Sequence, residues 1–233
     1  MTWNEAVEGF LGRRSCPLCG QAGWDEICPS CLARYAHPSW TPCPRCHIPS
    51  PAQATPGGLC SDCAGSSFPW SRRFSLAPYE EPWITLLRRF KGGETFLARP
   101  LGKTLARALP WAELGPFVAV TWVPPDPQRH RRRGYHGAEL LARSLARGRL
   151  VALPLLRKEG TTPPQHFLGR LGRTQADLSF RPLPGAPMPR GRLLLVDDVW
   201  TTGTTLSQAA AALLEGGARA VVGITLCQVT GGR

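Results

Sequence analysis

The stretch Leu193-Leu-Leu-Val-Asp197-Asp198-Val-Trp-Thr201-Thr202-Gly203-Thr204-Thr205 decides the fold of this 233-residue chain. Its four aliphatic residues predict a fully buried parallel strand. Two adjacent carboxylates follow, and open α/β sheets bind their ligands at the carboxyl edge of such strands. A loop of small hydroxyl residues around one glycine then opens a helix with apolar residues at a 3.6-residue period. The sequence therefore predicts an α/β fold, a parallel sheet flanked by helices, with a ligand site at its edge.

The loop after the acidic pair has the features of an anion site. Backbone N–H groups of residues 201–205 and the positive end of the helix dipole would converge on one point. Adjacent carboxylates beside that point suit a ligand that carries both a phosphate and vicinal hydroxyls. A ribose 5-phosphate is such a ligand.

The formal net charge of +12 is carried by the chain after residue 70. Residues 1–70 hold four Lys and Arg against five Asp and Glu, whereas the remainder holds 24 against 11. Within residues 126–173, eleven basic residues face three acidic ones. We therefore expect anionic partners to meet the C-terminal part of the chain.

No stretch of eighteen apolar residues occurs in the sequence, so we predict no membrane span. The first residues lack a basic region followed by a long apolar core, which a signal peptide requires. We therefore expect a cytoplasmic protein.

Eight of the nine cysteines form four C-x-x-C pairs in a segment rich in Pro and Gly. Two residues between ligands let both thiolates of a pair reach one tetrahedral zinc ion, and in a reducing cytosol such pairs more often hold metal than form disulfides. We predict a double zinc ribbon with two structural zinc ions, held by Cys16, Cys19, Cys28, Cys31, Cys43, Cys46, Cys60 and Cys63. Sequential pairing assigns the first four to one site and the last four to the other. A cross-brace pairing, oxidised disulfides and an iron–sulfur cluster are the alternatives.

These patterns divide the chain into a Cys-rich double zinc ribbon over residues 1–70 and an α/β domain over residues 71–233. The ribbon carries almost no net charge, so we interpret it as a scaffold or a docking module and not as a major-groove reader. The lone Cys227 lies in an apolar strand and is predicted to be a core residue.

A nucleotide hydrolase is the first competing hypothesis. Gly102-Lys103-Thr104 resembles the end of a P-loop, and residues 193–198 resemble the acidic strand of an ATPase. A P-loop needs a glycine at position 97 and a preceding strand, whereas this chain has Leu97 and a predicted helix there. We therefore assign Gly102 and Lys103 to a helix surface.

Further basic residues follow two other predicted strands. Residues 117–123 form one strand, and the loop after it carries Arg129, Arg131, Arg132 and Arg133 at the predicted ligand edge. Residues 150–156 form another strand, and a polar segment runs from Arg157 and Lys158 through Gln165 to Phe180. A segment of this length without periodicity is typical of a functional lid or of disorder. An arginine run can also be a plain solvated face.

The run from Leu193 to Thr205 resembles the phosphoribosyl-pyrophosphate (PRPP) motif of type I phosphoribosyltransferases. In that family the acidic pair holds the ribose 2- and 3-hydroxyls, so the resemblance implies that Asp197 and Asp198 are catalytic. It also implies a 5-phosphate site made of Val199, Trp200, Thr201, Thr202, Gly203, Thr204 and Thr205.

The complete pattern resembles the ComF family of ComFC and GntX-like proteins. It joins the four cysteine pairs, the basic loop with Arg133-Gly134-Tyr135 and the PRPP motif. The resemblance implies binding of PRPP or a nucleotide, with Mg²⁺ on the pyrophosphate, and it assigns the pyrophosphate and lid contacts to Arg133, Arg157, Lys158 and Gln165. His136-Gly137 stands where the family has Asn-Gln, which leaves any amide-dependent role without a residue. The acceptor of a transferred phosphoribosyl group is not identified.

The same resemblance implies a function of another class, DNA uptake in natural transformation. Arg129, Arg131 and Arg132 would follow a single-stranded DNA backbone, and Trp122, Tyr135 or Trp200 would offer stacking surfaces unless they lie in the core. The zinc ribbon would then dock proteins of the competence machinery. In this alternative the chain is a non-catalytic scaffold that keeps the phosphoribosyltransferase fold.

Overall fold

The computed structural model describes residues 14–36, 42–48, 57–126, 131, 133–159 and 179–229. Its helices are α1 (Pro29–Tyr35), α2 (Ser61–Gly65), α3 (Trp83–Lys91), α4 (Ala98–Ala108), α5 (Trp111–Leu114), α6 (Gly137–Ala146) and α7 (Thr204–Glu215). Its strands are β1 (Arg72–Pro78), β2 (Ala119–Trp122), β3 (Leu156–Glu159), β4 (Ser179–Pro182), β5 (Arg192–Trp200) and β6 (Ala220–Gln228). A short 3-10 turn, Thr95–Leu97, leads into α4.

Four strands form a parallel sheet in the order β1-β6-β5-β2, which confirms the predicted α/β class. β5 is central and buried on both faces. Its residues Leu194 and Val196 join the core formed with α3, α4 and α6, whereas Leu193 and Leu195 join the core formed with α7. The strict alternation of side chains along a strand explains why a continuous aliphatic run suits this position.

The predicted strand over residues 150–156 is wrong in its extent. Only a single parallel bridge forms there, between Ala152 and Val120 at the outer edge of β2. Pro154 lacks the N–H that a continued ladder needs. The chain instead enters β3 at Leu156 and pairs antiparallel with β4, so that Arg157 lies opposite Arg181.

The Gly102-Lys103-Thr104 sequence lies inside α4, as expected for a helix and not for a P-loop. It is nevertheless more than a helix surface. A Cβ on Gly102 would lie 2.4 Å from the Ser144 Cβ of α6, so glycine allows the two helices to approach closely. Lys103 pairs with Asp25, and the Thr104 hydroxyl accepts the Ile27 N–H at 2.9 Å.

The two cysteine segments lie on opposite faces of the sheet. Residues 14–36 pack on the α4 face, where Cys16, Cys28 and Cys31 belong to the core that contains Leu101 and Leu141. The second segment packs on the α7 face. In the described part of the chain, no helix is both long enough and apolar enough to cross a bilayer.

Candidate phosphoribosyl site and metal centres

The acidic pair lies in the last four residues of β5, at the carboxyl edge of the sheet. Asp197 faces Thr225 of β6 in the strand register, and both carboxylates are partly buried. The Asp198 N–H donates to the Asp197 Oδ1 at 2.8 Å, which fixes the orientation of that carboxylate. The strand extends to Trp200, so the pair is held on rigid backbone.

Burial, followed by the neighbouring charge of Asp198, raises the pKa of Asp197 to about 8. The Asp198 N–H and Lys91 act in the opposite direction but do not cancel these effects. Two close carboxylates that share a poorly solvated edge resist simultaneous ionisation. The pair therefore retains a proton near neutral pH and can both donate and accept hydrogen bonds.

Lys91 is the cation at this site. It is the last residue of α3, and its Nζ lies 3.0 Å from the Asp198 Oδ2. Both side chains remain partly exposed, so a ligand can reach the pair. The sequence signal for Lys91 was weak: it lies before Gly92-Gly93, in a stretch that resembles the ComF family. Its contact with Asp198 depends on how α3 packs against the sheet.

The loop after β5 opens α7 as predicted. Gly203 has φ of 83°, and its C=O accepts the Ser207 N–H at 2.9 Å to begin the helix. The first turn of α7 carries no acidic side chain, so the positive end of its helix dipole is available to an anion. Thr201, Thr202 and Thr204 are exposed, which leaves the loop open to an anion.

Trp200 lies beneath this loop and does not face solvent. It is 5% exposed, and its C=O accepts the Val229 N–H at 2.9 Å. The Arg73 guanidinium carbon lies 3.9 Å from the centre of the Trp200 ring, and Trp70 meets that ring edge-on at 5.9 Å. Trp122 is also buried, so both indoles belong to the core and cannot stack on DNA bases in this structure.

The basic loop before α6 contacts α3 next to Lys91. The Tyr135 hydroxyl donates to the Phe90 C=O at 2.8 Å, and a Cβ on Gly137 would lie 3.1 Å from the Phe90 ring. Arg131 and Arg133 are exposed. The structure thus places the end of this loop beside Lys91, which contacts Asp198.

The other residues predicted to contact the pyrophosphate or DNA already have partners or lie outside the described residues. Arg157 forms an ion pair with Glu159 on the same strand. The Lys158 Nζ lies 3.1 Å from the Oδ2 of Asp126, which follows β2. Arg129, Arg132 and Gln165 lie outside the described residues. Their roles stay predictions.

The eight predicted zinc ligands form two groups of four in the sequential pairing, not in a cross-brace. Within each group the Sγ atoms all lie within 4.8 Å of one another, and all but Cys19 are buried. The backbone N–H of Cys28 donates to the Cys16 Sγ, and the N–H of Cys60 donates to the Cys43 Sγ, each at 3.4 Å. These groups could each hold a tetrahedral zinc ion.

The electrostatics of both groups favour a cation. Burial raises the pKa of Cys16, but backbone N–H donors, first that of Cys28, outweigh it and set the pKa at about 7. The N–H of Cys60 acts in the same way on Cys43. Burial, followed by neighbouring thiols, raises the pKa of Cys46 to about 11. Four thiolates therefore coexist only if a metal ion neutralises their repulsion.

Sequence reasoning missed Arg73, for which no local pattern indicates a role. It lies on β1 and is 2% exposed. Burial lowers the pKa of Arg73 to about 10, whereas the thiols of the second group, Cys46 foremost, act to raise it. Cys227 is fully buried, as predicted for a core residue.

A basic groove lies between α4 and α6, away from the acidic pair. Its cavity of about 580 Å³ is lined by the cations Arg99, Lys103, Arg107, Arg147 and Arg149. An adjoining cavity of about 300 Å³ shares Arg99 and Arg147 and reaches the exposed Phe96. Arg147 and Arg149 follow the end of α6, whereas its beginning contacts Phe90 near the acidic pair.

No family model matches this chain. It is 31% identical over 212 residues to the DNA utilization protein YhgH of Escherichia coli O157:H7, covering 87% of this chain and 90% of that protein. It is 31% identical over 163 residues to Competence protein F of Haemophilus influenzae, covering 64% and 69%, respectively. It is 25% identical over 198 residues to Competence protein ComFC of Streptococcus pneumoniae, covering 84% and 78%. With its sequential pair of four-cysteine groups and its parallel α/β sheet, this chain belongs to the ComF family.

Proposed function

We propose that this chain binds PRPP or a related phosphoribosyl ligand at the carboxyl edge of its sheet. The observation that supports this best is the contact of Lys91 with Asp198 at 3.0 Å, in a strand–loop–helix unit whose helix begins at Thr204 without an acidic side chain in its first turn. Asp197 and Asp198 would hold the ribose 2- and 3-hydroxyls. Backbone N–H groups of residues 201–205 would bind the 5-phosphate.

Lys91, Arg133, Arg157, Lys158 and Gln165 are the candidates for contact with the pyrophosphate. Mg²⁺ would arrive with the pyrophosphate and would neutralise part of its negative charge. Phosphoribosyl transfer proceeds through a cationic, oxocarbenium-like ribose, and it depends on positioning and electrostatics without a covalent nucleophile. The ionised member of the acidic pair would stabilise that positive charge.

Titration calorimetry with PRPP and Mg²⁺ tests this site. The variant Asp197→Asn/Asp198→Asn keeps the side-chain shapes and removes the charge. Hydrogen bonds to charged groups contribute about 1.5–3 kcal/mol each, so we expect binding to weaken by roughly a hundredfold or more. The matched control, Glu139→Gln/Glu215→Gln, removes two carboxylates from helix surfaces and should leave the affinity unchanged. Equal affinity in both variants would reject the assignment.

A second candidate function is single-stranded DNA handling, and the basic groove between α4 and α6 favours it. Among the described residues, no ion pair involves Arg147 or Arg149, so their charge is available to a phosphate backbone. The names of the relatives connect them with DNA utilization and competence. A groove at a distance from the acidic pair would let the chain bind DNA and a phosphoribosyl ligand together.

Fluorescence anisotropy of a labelled oligothymidylate over a salt series separates the two candidate DNA surfaces. The variant Arg147→Ala/Arg149→Ala removes two cations from the groove, and Arg131→Ala/Arg132→Ala removes two from the basic loop. Loss of two phosphate contacts should reduce the slope of log K against log salt by about 1.4. The surface whose variant shows this change carries the DNA, and the absence of binding by the wild type at low salt would reject the function.

Docking of competence proteins on the zinc ribbons stays a prediction. Binding of such a partner should be lost when the ribbon surface is changed and retained in the Asp197→Asn/Asp198→Asn variant.

A further inference from the structure

A buried arginine connects the second cysteine group with the proposed ligand loop. The backbone N–H of Arg73 donates to the Arg45 C=O, within the knuckle between Cys43 and Cys46. Its guanidinium donates to the Ser75 Oγ at 2.6 Å and to the Gln228 Oε1 at 3.0 Å, and both acceptors are neutral. Nε has no hydrogen-bond partner among the described residues.

A zinc-bound second group would supply a counter-charge for Arg73. Four thiolates around one zinc ion carry a formal net charge of about −2, and the backbone of Arg73 is joined to the Cys43–Cys46 knuckle by its hydrogen bond to Arg45. The Arg73 side chain is 2% exposed, and the two acceptors of its guanidinium, Ser75 and Gln228, are neutral. A buried arginine without a counter-charge is strongly unfavourable in a protein interior, so metal at this group should hold Arg73 in place.

The other face of Arg73 supports the loop. Its guanidinium stacks on the Trp200 ring, and that ring lies directly against the backbone of Gly203. A Cβ on Gly203 would lie 2.1 Å from the Trp200 Cη2, so the ring has no room to move toward the loop. Displacement of Arg73 would free the ring and, with it, the first turn of α7.

A second connection runs through Trp70. Arg45 lies over the rings of Phe68 and Trp70, which stack on each other at 4.4 Å. The Trp70 Nε1 donates to the Ser207 Oγ at 3.1 Å, and Ser207 belongs to the first turn of α7. Both connections therefore lead from the second cysteine group to the same helix start.

The first cysteine group has no such connection. Its segment contacts α4 through two interactions. The Ile27 N–H donates to the Thr104 hydroxyl, and Asp25 forms an ion pair with Lys103. Where the structure describes the chain, no hydrogen bond or ion pair joins residues 14–36 to residues 200–207. The two metal centres are thus unequal in their relation to the ligand loop.

We propose that metal at the second cysteine group positions the ligand loop through Arg73 and Trp200, whereas metal at the first group supports only the α4 face. This proposal rests on the phosphoribosyl site proposed above. Coupling between two binding events is reciprocal. A bound phosphoribosyl ligand should therefore raise the affinity of the second group for zinc by the same factor by which zinc at that group raises the affinity for the ligand.

Two zinc-site variants test the asymmetry with ribose 5-phosphate and PRPP as probes. Cys60→Ser/Cys63→Ser should weaken binding about tenfold or more, a coupling of the size common between linked sites. Its matched control, Cys16→Ser/Cys19→Ser, also loses one metal ion and should change the affinity less than about twofold. Equal losses in the two variants would overturn the proposal.

Arg73→Met provides a version of the test that retains both metal sites. This variant should bind two zinc ions, and its affinity for ribose 5-phosphate should fall about as much as that of Cys60→Ser/Cys63→Ser. An unchanged affinity would overturn the role of Arg73. In the wild type, saturating ribose 5-phosphate should slow zinc release to a chelator in one of two phases. The phase that ribose 5-phosphate slows should be the one that is missing from Cys60→Ser/Cys63→Ser. Slowing of the other phase would contradict the proposal.

Amide hydrogen exchange distinguishes this proposal from the proposed function. Exchange at residues 204–207 should accelerate when zinc is lost from the second group and not when it is lost from the first. If the wild type binds neither ligand, the proposed function fails, but the exchange difference still measures the coupling. If the wild type binds both ligands and the exchange is equal in the two variants, the coupling fails alone.

Discussion

Gly203→Ala places a methyl group at the tightest contact of the ligand loop. Gly203 has φ of 83°, a region in which a residue with a Cβ costs about 1–2 kcal/mol. The new Cβ would also lie 2.1 Å from the Trp200 Cη2 and 2.2 Å from its Cζ2. Overpacking of this kind costs typically about 1–3 kcal/mol. We therefore expect a total destabilisation of about 2–5 kcal/mol.

Gly134→Ala is the matched control, because it separates backbone strain from the clash. Its φ of 72° is similar, and no atom of the described residues lies within 4 Å of an added Cβ. Only the strain of about 1–2 kcal/mol should remain. For a chain of this length, each kcal/mol lowers the melting temperature by roughly 2–4 °C.

The assay is thermal unfolding of both variants with zinc present, followed by the same substitution in a Trp200→Leu background. Without the ring, Gly203→Ala should destabilise no more than Gly134→Ala does. The difference between the two backgrounds is the coupling of Gly203 with Trp200. If Gly203→Ala and Gly134→Ala lower the melting temperature equally in the wild-type background, the Trp200 ring does not support the loop.

Three further predictions follow from the same structure. Because the pKa of Asp197 is raised to about 8, the folded state binds more protons than the unfolded state between its ordinary value of about 4 and that value. Stability should therefore fall as pH rises through this window. Asp197→Asn should remove the slope and be more stable than wild type above pH 8 by several kcal/mol, since one pKa unit corresponds to about 1.4 kcal/mol. Urea denaturation from pH 4 to pH 9 measures this, and the same pH dependence of stability in wild type and variant would contradict it. Gly102→Ala should destabilise by about 1–3 kcal/mol, because the new Cβ meets Ser144 at 2.4 Å, and Ser144→Gly should restore part of the loss in thermal unfolding. Elemental analysis should find about two zinc ions per chain and about one in Cys16→Ser/Cys31→Ser, whereas loss of both zinc ions from this variant would contradict the sequential grouping.

The elements with a strong local pattern were predictable. The aliphatic run of β5, the glycine that opens α7 and the four C-x-x-C pairs each express their structure within a few residues. Residues 150–156 show the limit of such reasoning. Their apolar content suggested a full strand, but Pro154 and the later pairing of β3 with β4 reduce it to one bridge.

The proposed ligand site, too, was only partly predictable from the sequence. The acidic pair and its loop are contiguous in sequence, so their juxtaposition follows from one strand–loop–helix unit. Lys91 precedes Asp198 by more than a hundred residues, and no local pattern announces a contact between them. The functional site is therefore only partly encoded in a motif.

The sequence by itself determined the chain's α/β class, the order of strand, acidic pair, loop and helix, and the four C-x-x-C pairs. Periodicity and ligand spacing are local properties, so the residues that carry them are neighbours in the chain. Only the tertiary structure decided that the two cysteine groups lie on opposite faces of the sheet, and that Arg73 joins the second of them to Trp200. Arg73 and its partner Gln228 are 155 residues apart, and Lys103 and Asp25 are 78 apart. Such contacts depend on how the whole chain packs its buried surfaces, which no stretch of sequence specifies alone.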